Sequence, residues 1–185
     1  TNLLSTIIAG AYQCGIRDFD TKLAYEACLK NELDGKDRPF GAGKVNTADF
    51  VKYGYVPHLD EGEGHHETFM FSASHTLEYS YSSWAVAQWA EQLGDTANAS
   101  KLRFLSKGWE RLYDPEINFI HPKKADGQFV DNFNPMQVWR GFQEGNSWQY
   151  TFYVPHDVTS LVNKVGADVF NARLDSIFTQ SQKKI

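Results

Sequence analysis

A net charge of −5 on 185 residues is the wrong sign for a nucleic-acid or anionic-membrane surface, and no apolar run reaches the length of a membrane span. The length suits one domain with a sizeable core. Thirteen Phe, nine Tyr and five Trp first of all build that core, and they also permit a carbohydrate site, since flat rings with polar edges hold sugars well.

The opening residues lack a signal peptide's charged start and cleavage site, and Thr1 falls inside a helical pattern. The chain therefore reads as cut from something longer. Leu4, Ile7, Ile8 and Ala11 predict a first helix that stops at Gly15. Asp20 is a good N-cap for a second, running through Leu23, Ala27 and Cys28 to about Leu33. Cys14 and Cys28 lack metal-ligand spacing and are expected as buried small apolar residues, with a disulfide as the alternative. After a turn-rich loop from Asp34 to Pro39, Thr47 is expected to cap a short helix closed by Gly54.

His58-Leu59-Asp60-Glu61-Gly62-Glu63-Gly64-His65-His66-Glu67 gathers histidines and carboxylates, yet it has no fixed i, i+4 pair of ligands. A solvated acidic loop is the expectation and a bound cation the alternative. The strongest helix is predicted over Ser74 to Leu93. It is apolar around much of its circumference, with Leu77, Tyr81 and Trp84 on one stripe and Val86, Trp89, Ala90 and Leu93 on another. Glu78 near its buried start calls for a structural salt bridge or a place in a pocket. Asp95 caps the next helix, carried by Leu102, Leu105, Trp109 and Leu112 and ended by Asp114-Pro115. A hairpin is expected between Phe119 and Phe133 around Asp126-Gly127. A helix capped by Asp157 and ended by Gly166 follows, then a last one with Phe170, Leu174, Ile177 and Phe178 in register and a fraying tail. The sum is about seven antiparallel helices, hence an all-α solenoid or barrel.

Between these elements stands Glu144-Gly145-Asn146-Ser147-Trp148-Gln149-Tyr150, leading into Val154-Pro155-His156-Asp157. A carboxylate among Trp139, Phe142, Trp148 and Tyr150 should be partly desolvated, which suits a general acid. The plainer reading is a glutamate that caps neighbouring backbone groups. His156 and Asp157 are expected to fix a helix start rather than touch a ligand.

Taken together, Gly54-Tyr55-Val56-Pro57, Ser74-His75-Thr76-Leu77-Glu78-Tyr79-Ser80-Tyr81 with Trp84, Glu144 to Tyr150, Val154 to Asp157 and Leu174 to Phe178 resemble glycoside hydrolase family 92, the calcium-dependent exo-acting α-mannosidases. The segments fall in the family's order across nearly the whole chain. The resemblance implies part of an (α/α)6 toroid of antiparallel helical hairpins with a short β-hairpin insertion. Residues 1–185 would be one partial domain from the middle of that toroid, without the β-rich N-terminal domain. It implies hydrolysis of terminal α-mannose with inversion, with the α-1,2 linkage preferred. Glu144 would be the general acid, and Asn146, Trp148, Tyr150 and Glu78 would bind a mannose-containing glycan. No residue here is expected to ligate metal, because the family's calcium segment (Gly-Asn-Glu-Pro) and base segment (Gly-Asn-Asp) lie beyond the chain's end. A secreted, periplasmic or cell-surface location goes with the family.

One departure stands out: the family shows Tyr-Asp-Asp-Trp where this chain has Tyr81-Ser82-Ser83-Trp84. It keeps open a rival reading, a helical carbohydrate-binding or scaffold protein that has lost catalysis. A metal-binding helical protein built on the histidine loop ranks behind both. As a section of a toroid, the chain is expected to form an open arc. Its unfinished edge would include Val86, Trp89 and Leu93 and would await the rest of the parent or a second copy.

Overall fold

The computed structural model describes residues 3–35, 43–60 and 70–181. The order is α1 (Leu4–Gln13), α2 (Thr21–Leu33), α3 (Thr47–Tyr53), α4 (Ser72–Gln92), α5 (Thr96–Ser106), α6 (Gly108–Leu112), β1 (Tyr113–Asp114), β2 (Phe119–Ile120), α7 (Ser147–Tyr150), α8 (Val158–Val165) and α9 (Ala167–Ser181). The fold class is the expected one, mostly helical with a small antiparallel strand pair. That pair sits earlier than the predicted hairpin: Tyr113 faces Ile120 and Asp114 faces Phe119. Around Asp126-Gly127 there is only a single bridge, between Lys123 and Phe129.

α4 is the central helix, packed by α1, α2, α5 and α6. It is rich in serine yet buried along most of its length, because its hydroxyls find partners, some of them back in the helix and some on neighbouring elements. Thr76 Oγ1 donates to the Ser72 carbonyl at 2.8 Å and Ser80 Oγ to the Thr76 carbonyl at 2.7 Å. Such side chains bury no unmet donor and let neighbours come close. One core cluster joins Leu77 to Trp109, Leu112, Ile120, Phe142, Val154 and Leu161. A second joins Val86 and Trp89 to Ala9, Tyr25, Cys28 and Leu102, with Tyr12 stacked on Trp89 at 4.6 Å.

Several local expectations change. Val86 and Trp89 are fully buried, so they form no open edge; of that stripe only Leu93 is exposed. Among the most exposed apolar side chains are instead Leu4, Ile7 and Leu23 of the first two helices and Phe178 of the last. α1 turns Ser5 and Ala9 inward and packs Ile8 and Tyr12 against the α4 cluster. Cys14 is exposed, while Cys28 is buried, and both are free thiols. Asn46, at φ 54°, holds the N-cap position of α3; Thr47 is its first residue and donates to the Lys44 carbonyl at 2.8 Å. Asp20 and Asp95 do cap their helices, through Leu23 N–H at 2.9 Å and Asn98 N–H at 3.2 Å. Asp157 makes no backbone cap; its carboxylate goes to Lys107.

The helix expected from Asp95 to Leu112 breaks at Lys107. A Cβ at Gly108 would lie 2.7 Å from the Gly54 carbonyl oxygen and 2.8 Å from Ser80 Oγ. Only glycine lets the backbone approach α3 and α4 this closely.

His75 lies one turn into α4, stacked on Tyr79 at 5.6 Å and 3% exposed. Burial pushes its pKa down from 6.5 to about 4. The unfolded chain takes up this proton at higher pH than the folded one. The contribution to stability is therefore complete above pH 6.5 and is lost as the pH falls towards 4, on the order of 3 kcal/mol in all. The urea midpoint is expected to drop between pH 7 and pH 4.5 in the wild type and markedly less in His75→Gln. An equal drop in both would show that other groups govern the acid sensitivity.

Candidate active site

The stretch before Glu144 is fastened to the start of α4. The Gly141 carbonyl accepts from Ala73 N–H at 3.0 Å and Ser74 N–H at 3.1 Å, and Gly141 N–H donates to the Met70 carbonyl at 2.6 Å. Gln143 N–H donates to Ser74 Oγ at 2.9 Å, and the Tyr150 hydroxyl donates to the Gln143 carbonyl at 2.8 Å. Both backbone groups of the residue preceding Glu144 are thus held.

Glu144 itself adopts φ 55°, in the left-handed region that side chains rarely occupy. Gly145 is buried behind it, where a Cβ would meet Gln149 Oε1 at 2.8 Å and the Tyr150 ring at 2.9 Å. Asn146 then caps α7. Its side chain accepts from Gln149 N–H, and the Gln149 side chain accepts from Asn146 N–H at 3.2 Å, closing a capping box. The turn carrying the carboxylate is pinned on both sides. Gly145→Ala should force this box apart and destabilise the protein by about 1–3 kcal/mol, read from its urea midpoint. An unchanged midpoint would mean that the turn relaxes freely.

The structure sorts the expected site residues into groups. Glu144 is exposed rather than desolvated among aromatic rings. The left-handed turn and the α4 anchor project this residue off the core. Glu78 is half-buried on α4 and acts on Tyr153, whose pKa is raised by burial first and then by Glu78, Tyr81 and Tyr150. Tyr150 also packs on Phe142 at 5.4 Å and Tyr153 at 6.3 Å. Glu78, Tyr81, Tyr150 and Tyr153 therefore gather on one side. Asn146 and Trp148 lie elsewhere, along a cavity of about 280 Å³ against Ser176, Ile177 and Gln180 of α9. Trp148 packs on Phe119 at 5.1 Å. Asn146 is engaged in capping α7, the role that asparagine favours directly before a helix. Tyr153, three residues after Tyr150, belongs to none of the motifs that the sequence offers. His156 donates from Nε2 to the Ser106 carbonyl at 3.0 Å and packs against Tyr81 and Trp84, and burial lowers its pKa.

At Ser82 and Ser83 a carboxylate is present after all, brought from another helix. Glu32 of α2 is fully buried and accepts from Ser83 Oγ at 2.9 Å and Ser82 Oγ at 3.2 Å. The same oxygen pairs with the buried Lys44 ammonium, which lies 2.5 Å from Ser82 Oγ. The two serines thus help hold a charge that α4 itself does not carry.

No group of three or more His, Cys, Asp or Glu side chains among the described residues could hold a metal ion. The calcium implied by the resemblance has no ligand set among them. Of the histidine loop, His58 is buried between Ser72 Oγ at 3.1 Å and Asp60 Oδ1 at 3.2 Å, while residues 61–69, with His65 and His66, lie outside the described residues. Among the described residues no helix is long and apolar enough to cross a membrane.

Comparison with known proteins accords with this architecture. The chain is similar to a family 92 α-mannosidase from Bacteroides thetaiotaomicron, with a TM-score of 0.81 and 28% identity over 95% of this chain and 22% of that one. A family 92 inverting mannosidase from the same organism matches with a TM-score of 0.82 and 30% identity, over 95% of this chain and 23% of that one. A protein of Arthroderma benhamiae described as a secreted glycosidase is 30% identical over 91% of this chain and 25% of its own length. The chain thus spans about a quarter of the length of these relatives. The family model for the glycosyl hydrolase family 92 catalytic domain matches residues 2–185, and the chain belongs to that family.

Proposed function

We propose that the chain is the acid-bearing middle section of an exo-α-mannosidase catalytic domain, with residues 1–185 as a partial domain completed by the rest of the parent. In this reading Glu144 protonates the departing glycosidic oxygen while a terminal α-linked mannose, α-1,2 by preference, is hydrolysed with inversion. One observation carries the assignment: Glu144 is presented at φ 55° on a turn pinned at Gln143 and at the Asn146 cap. For a glutamate this region is uncommon, and such outliers cluster at functional sites. Exposure leaves the carboxylate accessible to a substrate oxygen. The relatives named α-mannosidase and inverting mannosidase support the reaction class.

An inverting pair needs a second carboxyl about 6.5–9.5 Å from the acid, with a water between. That base would come from outside this chain, as would the main calcium ligands. Glu78, Tyr150 and Tyr153 would line the sugar's side of the turn. The rival reading, a binder without catalysis, drew on the acids missing at Ser82 and Ser83; the Glu32 carboxylate beside both serines weakens it. A secreted or surface location is supported by the description of the Arthroderma benhamiae relative.

The test is hydrolysis by the full-length parent of a panel of α-linked mannobiosides, with the product's anomeric form followed by NMR. Release of β-mannose, fastest from the α-1,2 isomer, is the expected result. Release of α-mannose would sink the inverting mechanism, and no release from any isomer would sink the mannosidase reading.

A further inference from the structure

A second candidate site is formed by the stretch that precedes the acid-bearing turn in the chain. It is a cavity of about 350 Å³ lined by His58, Asp60, Gln137, Trp139 and Arg140, within the usual ~300–1,000 Å³ range of small-molecule sites. We propose that this cavity is a sugar subsite for the part of the glycan retained beyond the scissile bond, with Trp139 as its stacking platform and Asp60 and Gln137 as its hydrogen-bonding rim. The proposal rests on the mannosidase reading above.

Trp139 is 47% exposed at φ 69°. A bulky side chain is a marked outlier there, and such outliers collect where a side chain must be presented to a ligand. Its indole meets Phe71 edge-on at 5.9 Å, and two residues later the chain is anchored on α4 through Gly141. The ring is therefore held in place with a face to offer a pyranose. The polar wall is equally well built. Arg140 grips Asp60 with two hydrogen bonds, Nε to Oδ1 at 2.9 Å and Nη2 to Oδ2 at 3.1 Å, and donates from Nη1 to the Asp131 carbonyl at 3.0 Å. Those hydrogen bonds hold the Asp60 carboxyl down at about 2, so it is anionic at any working pH. The Asp60 side chain keeps 37% of its surface exposed, leaving room to accept from sugar hydroxyls.

Position selects the ligand. Trp139 and Glu144 are five positions apart in the chain, so their backbones lie at most about 18 Å apart, a span of one to a few sugar rings. An exo-acting enzyme places a single sugar on the non-reducing side of the cleaved bond. Any further sugar within that reach belongs to the leaving glycan.

The test compares the full-length protein with Trp139→Ala, Trp139→Phe and Gln137→Ala on an aryl α-mannoside and on an α-linked mannotriose. Trp139→Ala is expected to lower the ratio of kcat/KM for mannotriose over the aryl mannoside by about tenfold, mainly through KM, with Trp139→Phe restoring most of it. Gln137→Ala should lower the ratio about threefold. Equal losses on both substrates, or an unchanged ratio in Trp139→Ala and Gln137→Ala, would overturn the subsite. If the wild type hydrolyses neither substrate, the mannosidase reading fails on its own. Calorimetric titration with mannotriose then decides the subsite: binding weakened at least fivefold by Trp139→Ala supports it, and no binding, or binding indifferent to Trp139, overturns it.

Discussion

Glu144→Gln in the full-length parent is expected to lower kcat on a natural mannobiose by roughly 10²–10⁴-fold, about 3–5 kcal/mol of barrier. The amide keeps the shape of the side chain and the φ 55° turn but has no proton to give. The loss should shrink on aryl mannosides with acidic leaving groups, which depart with little help. That pattern separates a proton donor from a residue that merely shapes the turn, for which all substrates would suffer alike. Full activity of Glu144→Gln on the disaccharide would remove Glu144 from the mechanism. A structural explanation is already narrowed by the exposure of Glu144, which leaves no core for the substitution to disturb.

The second large effect is expected far from the acid. Glu32→Ala would leave the fully buried Lys44 ammonium without its carboxylate and should cost about 3–5 kcal/mol in chemical denaturation. That is a large fraction of the ~5–15 kcal/mol that typically holds a domain folded. Adding Ser82→Asp to Glu32→Ala should recover part of the loss, because Ser82 Oγ already lies 2.5 Å from Lys44 Nζ. If Glu32→Ala costs under about 1 kcal/mol, the ion pair carries no such weight. If Ser82→Asp rescues nothing, a carboxylate on α4 is not equivalent to the one supplied by α2.

Much of the scaffold was legible because its signals are local. Asp20 and Asp95 each cap a helix through an amide three residues on, and Gly54 closes α3 at φ 75°. A cap and its amide sit within one turn of each other, so the sequence between them contains the whole interaction. The segments at Glu78 and Glu144 carried the family in the same way, as short runs whose residue types can be read directly. Lys107 shows where this stops: the adjacent Gly108 is the one local mark, and the close approach to Gly54 and Ser80 that requires a glycine there is a tertiary contact.

By itself, then, the sequence determined the helical class, most helix ends and the family, all properties that local spacing and short motifs encode. The tertiary structure decided which faces are covered and what each polar side chain does. Leu4 and Ile7 have the spacing of a core stripe yet are exposed, because α1 buries Ser5 and Ala9 instead and packs Ile8 and Tyr12 on the α4 cluster. Val86 and Trp89 are buried because Tyr12 and Tyr25 pack over Trp89. Ser82 and Ser83 read as a lost acidic pair until Glu32, some fifty residues earlier in the chain, is found between them and Lys44. A carboxylate can be supplied from any helix that reaches the spot, and only the packing of α2 on α4 shows which one does.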